Sequence, residues 1–352
     1  MNQRILFITP GLTRGGAETQ LMKVARFLKT QNKDVTIIAL KPLNDFKHID
    51  FEKEGIRVLF LKSWKTQFLS NTFRLFKIVK HVKPDVVVAF MFIAILFARI
   101  MKLRYKFQLI SSIRNSVISN KWKHAFKLTA SLDDVIVYNS NASKLNFETQ
   151  SLAKRNGIII NNAVAMPPVN QLAAPRSASK PFVWVTMAHF RPSKDYRTLF
   201  KAIALIKNEN FRVDCLGHIR DEWPYELIAE LGITDKVRIL GFQSNPADYL
   251  KEADAFVLSS FWEGSPNAML EAMSYCKPIV ASAVDGIEEF LAEADCGFLV
   301  NGGDAQDLAS TMAHMMCLGS ESRLKLGQKG RHYVEQNFSE EQVMEKWLNV
   351  VC

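Results

Sequence analysis

Short apolar segments alternate with helix-periodic segments along almost the whole chain, and this alternation restricts the fold more than any other feature. Thirteen apolar segments occur: RILFIT, VTIIAL, VLFL, DVVVAF, FQLISSI, DVIVYNS and GIIINNAV in the first half, then FVWVTMA, RVDCLG, VRILGF, AFVLSS, PIVAS and GFLV. Continuous apolarity is typical of strands covered on both faces, as in parallel sheets. The sequence therefore predicts an α/β fold with doubly wound parallel sheets.

The alternation breaks once, at AMPPVNQLAAPRSASKP, which contains four prolines and has no helical period. Such a segment is typical of a linker. We therefore predict two Rossmann-like domains, residues 1–166 and 182–338, joined by a linker, 167–181. A C-terminal helix in residues 339–352 could pack back toward the first domain. Two such domains would face a central cleft, with ligands beyond the carboxyl ends of the strands.

The longest apolar run, Val86–Ala98, has 13 residues and is too short to cross a bilayer core of about 30 Å as a helix. We interpret it as a buried strand that leads into a buried helix. The N-terminus lacks the features of a signal peptide. The five cysteines form neither a C-x-x-C pair nor a zinc-like spacing, which favours free thiols and a cytoplasmic protein.

Charge is distributed unevenly between the two halves. Residues 1–166 contain 27 Lys and Arg against 10 Asp and Glu, a net +17, whereas residues 167–352 contain 18 against 25, a net −7. Basic residues mix with aromatic ones in segments 62–84, 99–107 and 120–127. Such segments suit an anionic membrane surface, where each cation contributes about 1 kcal/mol. Nucleic-acid binding and an ordinary solvated surface are the alternatives.

The first glycine-rich loop, TPGLTRGGAE, follows the first predicted strand and opens the first predicted helix. Its spacing matches neither the dinucleotide fingerprint nor the Walker A loop. Gly15 and Gly16 would let a ligand approach the backbone, and the helix N-terminus favours an anion. A tight strand-to-helix turn without a ligand explains the loop equally well.

A basic loop, HFRPSKD, follows the first strand of the second domain. Arg191 and Lys194 lie near the carboxyl end of that strand, where a guanidinium and an ammonium suit a diphosphate. The alternative is a solvated basic surface.

Two acids, Glu263 and Glu271, lie eight positions apart in SSFWEGSPNAMLEAM. Ser265 is a suitable N-cap and Pro266 suits the first helical position, which puts Glu271 in the second turn. The free N–H groups of the helix start would then lie between the acids, where a diphosphate could bind with a carboxylate reaching hydroxyls on each side. A capped helix preceded by an exposed loop acid is the alternative.

EGSPNAMLEAM resembles the E-G-x-P-x-x-x-x-E-A-M signature of the family-4 retaining glycosyltransferases, which have the GT-B fold. GLTRGGAE, HFRPSKD, the segment from VRILGF to FWEG, PIVASAVDGIEEFL and GFLV resemble further family segments, so the resemblance covers nearly the whole chain. It implies transfer of a hexose or N-acetylhexosamine from a nucleotide diphosphate sugar, expected to be a UDP-sugar, to a hydroxyl of a glycan or lipid-linked acceptor. The pathway would be surface polysaccharide, O-antigen or related glycan synthesis.

The resemblance also implies roles for individual residues. Glu263 would contact hydroxyls of the donor sugar, Glu271 the ribose, and Lys194 the diphosphate. Gly15 and Gly16 would lie near phosphate and acceptor. The backbone of the following residues would bind substrate, those from Pro266 onward near the diphosphate: Gly264, Ser265, Pro266, Asn267, Ala268, Met269 and Leu270. The chain has no Asp-x-Asp motif, so we expect no metal or other cofactor and assign the charge stabilisation to Lys194 and Arg191. Same-face substitution with retention is the mechanism that the resemblance suggests.

Several positions depart from the family pattern. The arginine that pairs with the family lysine falls at His189, and Arg191 is our candidate for supplying its charge. Cys276 stands where a glycine is common, and Asp285–Gly286 replaces a Gly-Gly pair. Arg114 and Asn115 stand where many members carry a histidine near the sugar.

Two alternative functions share the same architecture: a nucleotide-sugar 2-epimerase and a degenerate binding protein. Glu263, Glu271 and Lys194 together argue against the degenerate protein. Because lipid-linked acceptors are common in the family, we favour an anionic inner-membrane surface as the partner of the basic half and expect no nucleic acid. The protein would then be peripheral on the cytoplasmic face of the inner membrane.

Overall fold

The computed structural model describes residues 2–13, 15–47, 49–63, 67–114, 118–154, 157–172, 181–263, 266–284 and 286–352. The chain forms two compact units. The first comprises Met1–Ala163 and Glu341–Cys352, and the second Val164–Glu340. Each unit contains one parallel sheet with helices on both faces, which confirms the predicted α/β class.

The sheet of the first unit has seven parallel strands in the order β3-β2-β1-β4-β5-β6-β7. All seven lie within the apolar segments predicted for them or within one residue of those segments: β1 (Arg4–Thr9), β2 (Asp34–Ala39), β3 (Arg57–Phe60), β4 (Val86–Phe90), β5 (Gln108–Ile113), β6 (Val135–Tyr138) and β7 (Ile158–Ile159). Strand order reverses direction between β1 and β4, which creates a topological switch point at the carboxyl edge.

Helices cover both faces of this sheet: α1 (Gly16–Thr30), α2 (Phe68–Val82), α3 (Phe92–Lys102), α4 (Asn120–Leu128) and α5 (Asn141–Thr149). Along β1, Ile5 and Phe7 join the core under α1, whereas Leu6 and Ile8 join the core under α2, α3, α4 and α5. Neighbouring strand residues point to opposite faces, so burial on both faces makes the strand continuously apolar. The run Val86–Ala98 forms β4 and most of α3, as predicted.

The second unit has six parallel strands in the order β10-β9-β8-β11-β12-β13, with its reversal between β8 and β11. In chain order its elements are β8 (Phe182–Met187), α6 (Tyr196–Leu205), β9 (Phe211–Leu216), α7 (Trp223–Glu230), β10 (Val237–Gly241), α8 (Ala247–Glu252), β11 (Ala255–Leu258), α9 (Asn267–Ser274), β12 (Ile279–Ser282), α10 (Glu288–Ala294), β13 (Gly297–Val300), α11 (Ala305–Cys317) and α12 (Ser320–Phe338).

The last helix, α13 (Glu340–Val351), packs in the α1-side core of the first unit. Its side chains Val343, Trp347 and Val351 are buried there, and Trp347 stacks on Phe90 of β4 with ring centroids 5.8 Å apart. The first unit is therefore built from both ends of the sequence.

The turn after α9 contains a backbone conformation that favours glycine. Cys276 has φ 55°, in the left-handed region, which costs a residue with a Cβ about 1–2 kcal/mol. A Cβ on Gly327 of α12 would approach the Cys276 carbonyl oxygen to 1.9 Å, so α12 packs directly on this turn. Cys276 therefore adopts the conformation that a glycine at this position would take without strain.

The described helices include none that is both long and apolar enough to cross a bilayer. All five cysteines are free.

Candidate functional site

The carboxyl edge of the second sheet brings the basic loop and the first acid together. At the switch point between β8 and β11, ligands of such folds bind beyond the strand ends. The Ser259 hydroxyl donates to the Lys194 carbonyl (3.1 Å) and the Asp195 carbonyl (3.0 Å). The Phe261 amide donates to the Ser193 carbonyl at 2.9 Å. The loops after β8 and β11 are therefore joined by hydrogen bonds.

Lys194 and Glu263 form an ion pair within this joined region. Lys194 Nζ donates to Glu263 Oε1 at 2.5 Å, and Ser260 Oγ donates to the same oxygen at 2.7 Å. Glu263 is 8% exposed, while the Lys194 side chain is partly open. Two donors on one oxygen fix the carboxylate in one orientation. Two predicted site residues, 69 positions apart in sequence, are thus in direct contact.

The local sequence explains the position of Lys194. Pro192 begins a single 3-10 turn that ends at Lys194, because its ring presets the φ of the first position. Asp195 follows in the left-handed region with φ 43°, and its side chain accepts a hydrogen bond from the Thr198 amide. Asp195 therefore ends the turn and caps α6 at once.

Helix α9 begins at Asn267, one residue later than predicted. Pro266 has ψ 69°, which is not helical, and its carbonyl accepts the Leu270 amide at 3.0 Å, so it occupies the N-cap position. Gly264 and the predicted cap, Ser265, lie outside the described residues. The amides of Asn267, Ala268 and Met269 have no acceptor within the helix, whereas the Leu270 amide has one.

The side chains of α9 divide between core and surface. Met269 and Leu270 are fully buried, so only their backbone can meet a ligand. Glu271 is half-buried in the second turn, about 6 Å along the helix axis from Asn267. The first turn of α9 therefore lies between the loop of Glu263 and the side chain of Glu271.

His189 lies in a positively charged part of the same edge. The His218 amide donates to His189 Nδ1 at 3.2 Å, and the two rings lie 5.0 Å apart. Burial, followed by the charges of His218, Arg191, Lys194 and Arg220, lowers the pKa of His189. Because Nδ1 accepts a hydrogen bond, the neutral ring carries its proton on Nε2. His189 is thus a neutral donor at pH 7, and the exposed Arg191 is the nearby cation.

Sequence reasoning missed four residues at this edge. Ser260 holds the Glu263 carboxylate, His218 and Arg220 follow β9, and Phe242 stacks on His218 with ring centroids 4.7 Å apart. All four lie within four residues of the carboxyl end of a parallel strand, and that position could have identified them.

The glycine loop of the first unit opens α1. Gly15 is the N-cap with φ −115° and ψ 163°, and Gly16 is the exposed first helical residue. A Cβ on Gly15 would lie 2.6 Å from a carboxylate oxygen of Glu18, so glycine here leaves room for that side chain. Burial raises the pKa of Glu18. The glycine pair thus forms the start of α1, and its contact with a ligand stays a prediction.

Arg114, one of the two residues in place of the family histidine, is buried at the carboxyl end of β5; Asn115 lies outside the described residues. Within the described ranges, no three His, Cys, Asp or Glu side chains cluster so that they could hold a metal ion.

Two family models match the chain. Residues 14–166 match "Glycosyltransferase Family 4", and residues 170–333 match "Glycosyl transferases group 1". The lipopolysaccharide core biosynthesis glycosyltransferase LpsE of Rhizobium meliloti is 27% identical over 170 residues, 48% of this chain and 49% of that protein. The chain thus spans about half the length of this curated relative.

Two solved structures share the fold over almost the whole chain. A glycosyltransferase from Rickettsia africae superposes with a TM-score of 0.86 at 21% identity, covering 99% of this chain and 98% of that one. Anabaena HepE, in complex with UDP and glucose, superposes with a TM-score of 0.84 at 18% identity and covers 99% of both chains.

Proposed function

Because the chain belongs to the family-4 glycosyltransferases, with the GT-B fold, we propose that it transfers a sugar from a nucleotide diphosphate sugar to an acceptor hydroxyl in surface-polysaccharide synthesis. One observation carries the proposal: the Lys194–Glu263 pair lies on the loops that flank the switch point of the second sheet, just before the first turn of α9. The family signature and the geometry thus point to the same residues.

The charges at this edge suit the departure of a diphosphate from the anomeric carbon. Negative charge accumulates on the leaving oxygens, and cations that strengthen their contact there lower the barrier. Lys194, Arg191 and the N-terminal end of α9, with its first-turn amides, supply positive charge. Lys194 is partly exposed beside Glu263, so its ammonium can contact a diphosphate at this edge.

The two acids bind the two ends of the donor. Glu263, oriented by Ser260, accepts hydrogen bonds from hydroxyls of the sugar, and Glu271 accepts them from the ribose. We propose a UDP-hexose or UDP-N-acetylhexosamine as the donor, which the UDP and glucose bound by HepE support. LpsE acts, by its name, in lipopolysaccharide core synthesis, which supports a glycan or lipid-linked acceptor.

We further propose a retaining, metal-independent reaction. In this proposal, cationic side chains and helix amides neutralise the diphosphate without a metal ion. The acceptor attacks from the face that the leaving group vacates, and the leaving phosphate oxygen takes the acceptor proton. Both bonds then lie on one face of the sugar, so the anomeric configuration is kept.

A donor panel tests the proposed function. The full chain is incubated with UDP- and GDP-sugars, with and without glycan acceptors and with and without EDTA, and products are followed by NMR. We expect a glycoside product of unchanged anomeric configuration, and we expect EDTA not to affect its formation. Glu263→Gln should abolish turnover, whereas the control Glu321→Gln, at an exposed acid of the same unit, should not. An epimerised donor formed without acceptor would favour the epimerase, and donor binding without turnover the degenerate protein.

The first unit carries a surface suited to an anionic membrane. Helices α2, α3 and α4 pack on one core layer, and neither residues 55–84 nor 86–132 contain an acid. Four exposed residues share one face of α2 at positions i, i+4, i+8 and i+11. They are Leu69 (81% exposed), Phe73 (73% exposed), Lys77 and Lys80. Apolar side chains flanked by cations fit an interfacial helix. We propose that this basic outer face holds the enzyme on the cytoplasmic side of the inner membrane.

Liposome flotation tests this attachment. Wild-type protein should float with vesicles that contain anionic phosphatidylglycerol and much less with neutral vesicles. Lys77→Gln with Lys80→Gln should weaken partitioning about 30-fold, since each cation contributes about 1 kcal/mol. Leu205→Ser, at an exposed leucine of the second unit, is the control. Equal flotation of all variants would remove this face from the interface, and retention on nucleic acid instead would replace the membrane as partner.

A further inference from the structure

A buried arginine in the first unit has no acidic partner among the residues that the structure describes. Arg114 is the first residue after β5, at the carboxyl edge of the sheet, and is 6% exposed. Buried charges in proteins are normally paired, because an isolated buried ion costs several kcal/mol. The same unit obeys this rule elsewhere: Arg99 is fully buried and binds both oxygens of Asp133. Arg114 therefore calls for a counter-anion.

The described partners of Arg114 are all neutral acceptors. Its Nε donates to Ser112 Oγ at 2.9 Å, and its Nη1 donates to the Ile160 carbonyl and to Asn162 Oδ1, both at 3.1 Å. Nη2 is buried and finds no hydrogen-bond partner in the described part of the chain. The guanidinium is thus held firmly on one side while its other terminal nitrogen is left to a ligand.

Two aromatic rings enclose the guanidinium without neutralising it. Its carbon lies 5.2 Å from the centroid of Phe90 and 5.5 Å from that of Trp347 on α13. Trp347 Nε1 is a second buried donor without an acceptor among the described residues. Cation–π contacts offset part of the desolvation cost and leave the rest uncompensated. Burial lowers the pKa of Arg114 to about 9, and no acid opposes this shift.

We propose that Arg114 binds an oxyanion, a phosphate or a carboxylate, on the sugar acceptor. This inference rests on the proposed function: the proposed donor contacts of Lys194, Glu263 and Glu271 lie in the second unit, whereas Arg114 lies at the carboxyl edge of the first, an edge at which parallel sheets bind ligands. Because Nη2 is covered, an anion reaches it only if the guanidinium turns about its outer torsions and exchanges a neutral acceptor for the anion.

Thermal unfolding of the full chain tests the site without any turnover. Wild-type protein, Arg114→Met and Arg114→Lys are melted in chloride, pyrophosphate and glucuronate at one ionic strength, with the exposed Lys41→Met as control. We expect the Tm of wild type to rise by about 5 °C at an anion concentration 100 times Kd. Pyrophosphate and glucuronate separate a phosphate-bearing acceptor from a carboxylate-bearing one.

Arg114→Met should lose the anion-dependent rise, and Arg114→Lys should keep a smaller one. In chloride alone, Arg114→Met should melt at or above the wild-type Tm, because it removes an unpaired buried charge. An equal anion-dependent rise in Arg114→Met would overturn the proposal. A wild-type Tm that does not change with either anion would also overturn the proposal. This result is expected if Nη2 binds only an internal water molecule. A failed donor panel with an intact anion response would reject the enzyme and keep the anion site.

Discussion

The two units share one strand order and one kind of switch point, yet their carboxyl edges treat charge in opposite ways. In the second unit, Lys194 lies against Glu263, so the cation is compensated until a ligand arrives. In the first unit, Arg114 is buried, and its hydrogen-bond partners in the described part of the chain are all neutral. Parallel topology fixes where a ligand can bind, whereas the charges at the strand ends decide which ligand it is.

The two halves of the sequence also differ in net charge, which is +17 in residues 1–166 and −7 in residues 167–352. A basic first half suits an anionic partner, whereas the second unit pairs cations with acids at several places, Lys194 with Glu263 and Arg238 with Asp214 among them. Variants that remove a cation or its acidic partner therefore distinguish cations that are paired with an acid from those that are not.

The largest effect is expected for Arg99, the buried arginine that is paired with an acid. Arg99→Met leaves the fully buried Asp133 without its partner, which costs about 3–5 kcal/mol of unfolding free energy. Urea unfolding measures this loss of unfolding free energy. Arg114→Met, which removes the arginine with neutral described partners, is measured for comparison. Adding Asp133→Leu should recover most of the loss. Equal destabilisation by Arg99→Met and Arg114→Met would erase the contrast between the two arginines.

The compensated pair of the donor edge should affect turnover more than stability. Lys194→Met should lower kcat about 100–1000-fold, because in the proposed reaction it removes a cation that stabilises the leaving diphosphate. Initial rates at saturating donor measure this loss, and the melting temperature checks the fold. Lys251→Met, at a half-exposed lysine of the same unit, is the control. If Lys194→Met turned over at the wild-type rate, Lys194 would only orient Glu263.

A backbone difference gives a smaller effect. Cys276→Gly removes the strain of a positive φ but adds entropy to the unfolded chain, for a net gain of about 0.5–1 kcal/mol. Cys317→Gly, at the end of helix α11, should instead lose about 1 kcal/mol. Chemical denaturation of both variants gives the comparison, and destabilisation by Cys276→Gly would show that its side-chain packing outweighs the strain.

The smallest effect concerns pH. The pKa of His189 is lowered in the folded state, so the unfolded chain takes up the proton first as pH falls below about 6.5. The stability contributed by neutral His189 is complete above that pH and is lost as pH falls toward the folded-state pKa. His189→Gln should therefore flatten the acid side of the Tm profile. By NMR, Arg191→Gln should raise the His189 pKa; an unchanged pKa would place Arg191 too far away to act on the site.

Local pattern determined much of this protein. Apolar runs located all thirteen strands, since burial on both faces imposes continuous apolarity. The motif EGSPNAMLEAM identified the acids, and the helix start was misplaced by one residue because propensity does not distinguish Pro266 as N-cap from Pro266 as first helical residue.

Contacts between distant segments were decided only by the tertiary structure. The sequence shows Lys194, Ser260 and Glu263 but not that two donors converge on one carboxylate oxygen. Likewise, Arg99 and Arg114 both occur in apolar surroundings of the sequence, and only the fold pairs Arg99 with Asp133 and leaves Arg114 with neutral partners. Periodicity reports which face of an element is buried; which side chains meet there depends on strand order, which local sequence does not encode.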